Sequence, residues 1–567
     1  MHFSPSRVFS RVDRFKRDRV DKFIQVALTS KIVISKYEVP GEPVQVSNIL
    51  KKLSSKAFKP FKIGSPYGKV WGTTWFLIEG KISPSDYKTA KNIEFLLDLG
   101  WSPSSPGLHT EALAYTIKGV PFKALHPQND WLRLKGVGSP VGKNRVLQTN
   151  GQFTFLIEAA SNPLLLGDIA FAPTPYGESI MEVENQKYQI NRANIASFND
   201  ELFKYSVDLE VLVSLARTLP ETSPRAVKIA FALENSMNKF DENNLSTLVK
   251  ARYILKTELI KPANASAGIF NAVGHAHIDS AWLWPIRETK RKVARTLSNV
   301  FALLRIYPDW IYTMSSAQQF VWLEENYPDL FVELKYWVNK GRIVPIGGQW
   351  VEADGVLPNG ESLVRQIIYG KNYFAKTFGQ NIETIWLPDS FGYSGSYPGI
   401  ARRAGFKYFL TQKISWSDST KFPHNSFYWQ GIDGTRILTH FPPTDTYNGQ
   451  MTADELNYGC KNYKEQAISD NQIYLYGNGD GGGGPTRQMI AKAEVFNNLE
   501  GVPRVEHTNP NRFYRKLANE LNKVGGWVPT WSGELYLEFH RGTLTSQHRI
   551  KKANRQTESL LRLAELV

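Results

Sequence analysis

Over residues 30–195 apolar and polar positions fall into short runs punctuated by Gly, Pro, Ser and Asn, and aromatic or β-branched stretches such as 69–82 read as strands. In QFTFLIEAA, Phe153, Phe155 and Ile157 alternate with other residues, which predicts a strand with one buried face. A β-sandwich is the simplest expectation. From 200 to 259 the spacing changes: ELFKYSVDLEVLVSLARTL and RAVKIAFALENSMNKF place apolar residues three and four apart, as helices do. PANASAG, at 262–268, reads as a linker. Beyond it, apolar runs (IFNAVGHAH, IYTMSS, RIVPIGGQW, TIWLPDS, KYFLTQK) alternate with helical stretches. Strand and helix in regular alternation imply an α/β fold, as a parallel sheet or a distorted β/α barrel with helices outside. The organisation expected is a β-rich N-terminal domain over 1–195, a helical connector over 196–265 and an α/β domain over 266–530.

At 567 residues, two or three domains are expected, and 42% hydrophobic with 21% charged residues is a globular composition. The net charge of +15 could suit nucleic acid, but the basic residues are spread out except at 7–22 and 287–295, and no nucleic-acid-binding motif accompanies them. The excess reads as solubility. Cys460 is the only cysteine, so neither an intrachain disulfide nor a Cys-based zinc site can form, which suits a reducing compartment. The first twenty residues hold no apolar run for a signal peptide, Asp13, Asp18 and Asp21 weigh against a transit peptide, and no run approaches about 18 apolar residues. No membrane association is expected, and the cytoplasm is the default.

Ligand sites in parallel sheets lie at the carboxyl ends of the strands, and three clusters fall there. In GHAHIDSAWLWP, 274–285, His277 and Asp279 are two apart and share one side of extended backbone, with His275 on the same face if the strand continues. An imidazole beside a carboxylate chelates a borderline divalent ion such as zinc; the alternative is a structural histidine. In TIWLPDSFGYSGSYPGI, Asp389 stands where an apolar strand stops, either as a functional carboxylate or as a helix N-cap. In IYLYGNGDGGGGPT, a strand delivers Asp480 into four glycines, which would let a bulky ligand approach or simply make a turn. No GK[ST] follows, so a phosphate loop is not expected. Two further stretches mix aromatics and polar groups in a way that suits sugar rings: one with Trp350, Glu352 and Asp354, the other with Glu534, Glu538, His540 and Arg541.

Together these motifs resemble glycoside hydrolase family 38, the α-mannosidases, and HAHIDSAWLWP, LPDSFGYS and GNGDGGGGPT look most like its cytosolic and vacuolar branch. The resemblance runs from about 272 to 555. It implies a retaining exo-α-mannosidase that removes terminal α-mannosyl residues from oligosaccharides with a bound Zn²⁺ or, alternatively, Co²⁺. By similarity, His277 and Asp279 would be metal ligands, Asp389 both ligand and nucleophile, and Asp480 the general acid/base. Trp282 and Phe391 match sugar-binding positions, and His275 and Trp350 are assigned to substrate binding beside them. The pKa of Asp480 is expected to be raised so that it starts protonated. The family's fourth ligand, a histidine in a later His-Asp motif, has no counterpart, since His540 and His548 lie in an earlier motif. Residues 531–567 read as the start of a helical bundle, so the chain looks truncated, and a homo-oligomer or a second polypeptide is the expected means of completing the site. For a fungal chain the vacuole is the alternative compartment.

Two other readings compete. Another metal hydrolase, an amidohydrolase or deacetylase, would share HxH but usually needs further histidines where TIWLPDS and IYLYGNGD offer aspartate. An inactive carbohydrate-binding remnant would retain no stoichiometric metal.

Overall fold

A computed structural model describes residues 3–101, 106–163 and 188–567; residues 164–187 of the expected β-rich segment lie outside these. Within 1–195 the first element is helical. In Pro5–Phe15 the apolar residues Val8, Val12 and Phe15 recur at three- and four-residue intervals and are buried with Phe9, and Phe15 packs edge-on against Tyr205 and Phe240 of the helical connector. A six-stranded antiparallel sheet follows, ordered Lys59–Pro60, Ser30–Val39, Thr73–Ile82, Gln152–Ala160, Glu111–Thr116, Pro121–Leu125, and a four-stranded sheet includes Ile93–Asp98 and Arg192–Phe198. Ile34, Phe76, Ile78, Phe95, Phe153, Phe155 and Ile195 share the core between them. The expectation of one buried face for Gln152–Ala160 holds only at its start: from Phe155 onward every residue is buried. The second face is covered there by the neighbouring domain, because Leu156 joins that domain's core and Glu158 pairs with Arg291 at 3.0 Å.

Three helices, Asp200–Thr218, Pro224–Lys239 and Thr247–Leu259, form the connector. The α/β strands then fall into two five-stranded sheets rather than one. The first is ordered Ile343–Pro345, Tyr312–Met314, Ile269–His275, Asn471–Tyr476, with Arg504–His507 also on Ile269–His275, and all its pairings are parallel. The second runs Thr384–Leu387, Tyr408–Thr411, Arg436–His440, Ser426–Gln430, Thr530–Ser532, and contains an antiparallel pair between 426–430 and 436–440. Val273, Ile346, Trp386, Leu410, Leu438 and Ile473, drawn from both sheets and the loop after one strand, pack in a single cluster, so the sheets enclose a common core. The final helix, His548–Leu566, buries none of its residues.

The basic run at 287–295 is structural rather than a surface patch. The helix Ile286–Ile306 buries Glu288, Arg291, Lys292 and Arg295 against the sandwich. Arg295 meets Glu111 at 2.9 Å and Glu288 at 2.5 Å, Arg291 meets Glu288 at 3.0 Å, and Lys292 meets Glu111 at 2.9 Å. Three buried cations thus balance Glu111, Glu158 and Glu288.

Some buried groups stay neutral instead. Ile473 N–H donates to Nε2 of His440 (3.3 Å), so Nδ1 holds the proton and donates to Ser426 Oγ (2.9 Å). Burial pushes the pKa of His440 down to about 3 and that of His126 to about 4. An unfolded histidine takes its proton near pH ~6.5. Below that value the unfolded chain binds more protons than the folded one, so stability is lost as pH falls. The urea midpoint is expected to drop steadily from pH ~6.5 to pH ~4, less steeply in His440→Gln; a level or rising midpoint would contradict neutral burial of these rings.

Candidate active site

Six polar side chains follow the carboxyl ends of strands and meet in one place. His277 and Asp279 come just after Ile269–His275, Asp389 two residues after Thr384–Leu387, and Asp480 shortly after Asn471–Tyr476. Lys413 follows Tyr408–Thr411, and Tyr447 follows Arg436–His440. His277, Asp279 and Asp389 each offer a ligand atom within 4.8 Å of the others.

Asp389 caps no helix. The next one, Tyr397–Arg403, begins at Ser396. Its N–H instead donates to Glu352 Oε1 (2.8 Å), and its Oδ1 accepts from both Lys413 Nζ and Tyr447 Oη, each at 2.6 Å. Tyr447 Oη also reaches Asp480 Oδ1 at 3.0 Å, so one phenol bridges the two carboxylates. Asp389 and Asp480 keep 20% and 27% of their side-chain surface open, enough to be reached from outside.

Asp480 is held by backbone. Its φ is +60°, and its carbonyl accepts from Asp279 N–H at 3.1 Å, which locks the two motifs together. The glycines after it make room for protein rather than for ligand. A Cβ on Gly481 would lie 1.9 Å from the carbonyl oxygen of Gly107, in a sandwich loop. Gly483 N–H donates to Thr296 Oγ1 at 2.9 Å.

Two residues assigned to substrate binding are placed otherwise. His275 is 1% exposed and its Nε2 accepts from Trp386 Nε1 at 3.2 Å; burial, with His277 adding to it, pushes its pKa down to about 3. It is a neutral support beneath the cluster. Trp350 donates to Gln318 Oε1 (2.9 Å) and its ring packs edge-on against Tyr369 and Tyr373 of the helix Gly360–Phe378. Glu352, two residues on, reaches the site instead, with Oε2 2.9 Å from His277 Nε2. Trp282 is 40% exposed and stands edge-on to buried Trp284. Phe391 is half-buried and edge-on to His540 at 5.4 Å. Glu352, Lys413 and Tyr447 complete the cluster that the motifs only partly outlined.

Electrostatically the carboxylates Asp279, Glu352, Asp389 and Asp480 outnumber the cationic groups Lys413 and His277. Burial, with Asp389, Asp480 and Glu352 nearby, pushes the pKa of Asp279 up to about 7. Burial works against a charge on His277, but Glu352 and Asp480 outweigh it and raise its pKa well above the usual value. The pKa of Asp480 is lowered, contrary to expectation: burial pushes upward, but the hydrogen bond and charge of His277 pull it down further. One imidazole with two carboxylates is a donor set that zinc or cobalt takes, and carboxyls that cannot all ionise unaided fit a divalent ion. The residues present are therefore consistent with a metal.

The sequence matches the family described as Glycosyl hydrolases family 38 N-terminal domain over residues 268–534 and that described as Alpha-mannosidase, jelly roll domain over 30–196. It is 34% identical over 514 residues to alpha-mannosidase 2C1 of Homo sapiens, covering 90% of this chain and 46% of that protein. It is 34% identical over 567 residues to alpha-mannosidase G of Dictyostelium discoideum, covering 98% and 49%. It is 34% identical over 520 residues to the alpha-mannosidase of Saccharomyces cerevisiae, covering 88% and 46%. The chain spans about half the length of these curated relatives.

Proposed function

The chain belongs to glycoside hydrolase family 38, and from that premise we propose that it carries the reaction centre of a metal-dependent, retaining exo-α-mannosidase acting on the terminal α-mannosyl residues of oligosaccharides. The observation that carries this reading is the shared contact of Tyr447 with Asp389 and Asp480 at 2.6 and 3.0 Å. The two carboxylate oxygens lie no farther apart than the sum of those lengths. Retaining glycosidases space their carboxyls about 5–5.5 Å apart, whereas inverting ones leave about 6.5–9.5 Å for a water. The separation suits direct attack by one carboxylate.

Asp389 is the nucleophile. Lys413 and Tyr447 both donate to its Oδ1, which leaves Oδ2 to bond the anomeric carbon. As that bond forms, the glycosidic C–O bond breaks and Asp480 gives its proton to the leaving oxygen. Asp480 then takes a proton from water, whose oxygen displaces Asp389, so two inversions preserve the α configuration. A divalent ion, Zn²⁺ or Co²⁺, held by His277, Asp279 and Asp389 would supply positive charge for the mannose hydroxyls. Three protein ligands leave coordination positions open for a further ligand and the sugar. Trp282 and Phe391 offer aromatic faces to the sugar ring.

Among the described residues no helix is long and apolar enough to cross a membrane. The compartment proposed is the cytoplasm, or the vacuole for a fungal chain, and the partners are mannose-containing oligosaccharides.

Metal content gives a test independent of turnover. The purified chain is expected to bind one zinc per molecule by elemental analysis and to melt higher in zinc than in chelator. Asp279→Asn should abolish both effects. Equal zinc retention in that variant would remove Asp279 from the ligand set.

A further inference from the structure

The six-stranded sheet of the sandwich is covered on its outer face at one end only. Where Trp75, Tyr115 and Leu156 stand, that face packs into the core shared with the α/β domain. At the other end it opens into a cleft of about 910 Å³, none of whose lining residues belongs to the carboxylate cluster. Lys31, Lys81, Lys118, Lys143 and Arg145 line it, against a single acid, Glu79. Among the described residues none of the five has a carboxylate within ion-pair distance. That contrasts with the basic runs at 7–22 and 287–295, where Lys16, Arg19, Arg291 and Arg295 are paired with acids.

The register makes the concentration of charge specific. Lys31 and Lys81 are direct cross-strand partners, with Gln152 beside Lys81 on the next strand. Like charges directly opposite each other destabilise a sheet. Two strands, a turn and the segment around Gly142–Asn144 thus bring five cations around one concavity, an arrangement that a bound anion would relieve. The aromatic side chain in the lining, Phe153, is 1% exposed, so stacking on a sugar face is not the mode of recognition here. Gln148, Gln152 and Thr154 offer neutral hydrogen-bonding groups between the cations.

We propose that this cleft is an accessory binding site for oligosaccharides that carry phosphate esters, the cations taking the phosphates and the amides and hydroxyls the sugar. The sugar half rests on the glycosidase reading; the anion half does not. The cleft would hold an anionic glycan to the chain at a distance from the reaction centre.

Calorimetric titration of the whole chain at low and moderate salt tests this, with four probes: a phosphorylated mannose oligosaccharide, the same oligosaccharide after phosphatase treatment, inorganic tripolyphosphate, and single-stranded DNA. The phosphorylated glycan is expected to bind at least about 10-fold tighter than its dephosphorylated form, more weakly as salt rises. Lys31→Gln with Lys81→Gln should lose that advantage while melting no lower than wild type; Lys143→Gln with Arg145→Gln is the second variant should the first fold poorly. Absence of binding, or binding indifferent to both pairs of substitutions, would overturn the site. Tripolyphosphate or DNA binding as tightly as the glycan would overturn its assignment to carbohydrate. A failed hydrolysis assay of the wild-type chain with intact cleft binding would count against the glycosidase reading alone, and hydrolysis without cleft binding against the cleft alone.

Discussion

Replacing Asp389 by alanine is expected to lower zinc-supplemented turnover of an aryl α-mannoside by about 10⁴-fold or more, the scale on which a nucleophile's loss is felt. The carboxylate sits where Lys413 and Tyr447 converge on one oxygen, and no other group so held faces Asp480. Asp480→Ala should behave differently. General acid catalysis is worth about 10²–10⁴-fold, and it matters least when the leaving phenol is already acidic. The kcat/KM for dinitrophenyl mannoside, which reads the first step alone, should therefore be nearly spared in Asp480→Ala and not in Asp389→Ala, while kcat in Asp480→Ala falls because the second step still needs the base. Added azide should rescue Asp389→Ala with inverted product, because a small anion can occupy the space of the missing carboxylate. If Asp389→Ala keeps its turnover, the nucleophile lies elsewhere.

The second large effect concerns stability. Glu288→Ala should lower the free energy of unfolding by about 3–5 kcal/mol, as removal of one partner from a buried ionic group does. Glu288 is 2% exposed, accepts from Asn162 Nδ2 (2.9 Å), and touches Arg291 and Arg295. Burial alone would raise its pKa, but Arg295 and Arg291 outweigh that and hold it down at about 2. Without it, three buried cations face two acids. Removing Arg295 as well restores the balance, so Glu288→Ala with Arg295→Met should recover a good part of the loss in urea unfolding. A double variant as unstable as the sum of its parts would refute the pairing.

Much of the candidate site is legible because its residues sit in short motifs at strand ends, where apolar runs stop and polar clusters begin. His277, Asp279, Asp389 and Asp480 were found that way. Lys413 and Tyr447 were not, since a lysine and a tyrosine after other strands carry no local signature and gain meaning only when those strands become neighbours. Glu352 was noticed, but Trp350 beside it was preferred for sugar binding; an aromatic residue signals equally for packing, which is its role here. The assignment of His275 to substrate binding rests on a shared face, and periodicity gives a face and not a depth. The run 287–295 looked like a charged surface for the same reason, its partners Glu111 and Glu158 being far away in sequence. The α/β class followed from alternation, whereas division into two sheets depended on register, which no local pattern encodes.

The contact between Gly107 and Gly481 bears on how this protein can be cut and rearranged. The sandwich places a loop directly behind the turn that presents Asp480, and Lys292 Nζ clamps the same loop through the Gly107 carbonyl at 2.6 Å. Expressing the α/β part alone would leave that turn unsupported on one side. The sandwich is thus part of the scaffold behind the candidate site, and a bulkier residue at position 107 or 481 would be felt on both sides of the contact.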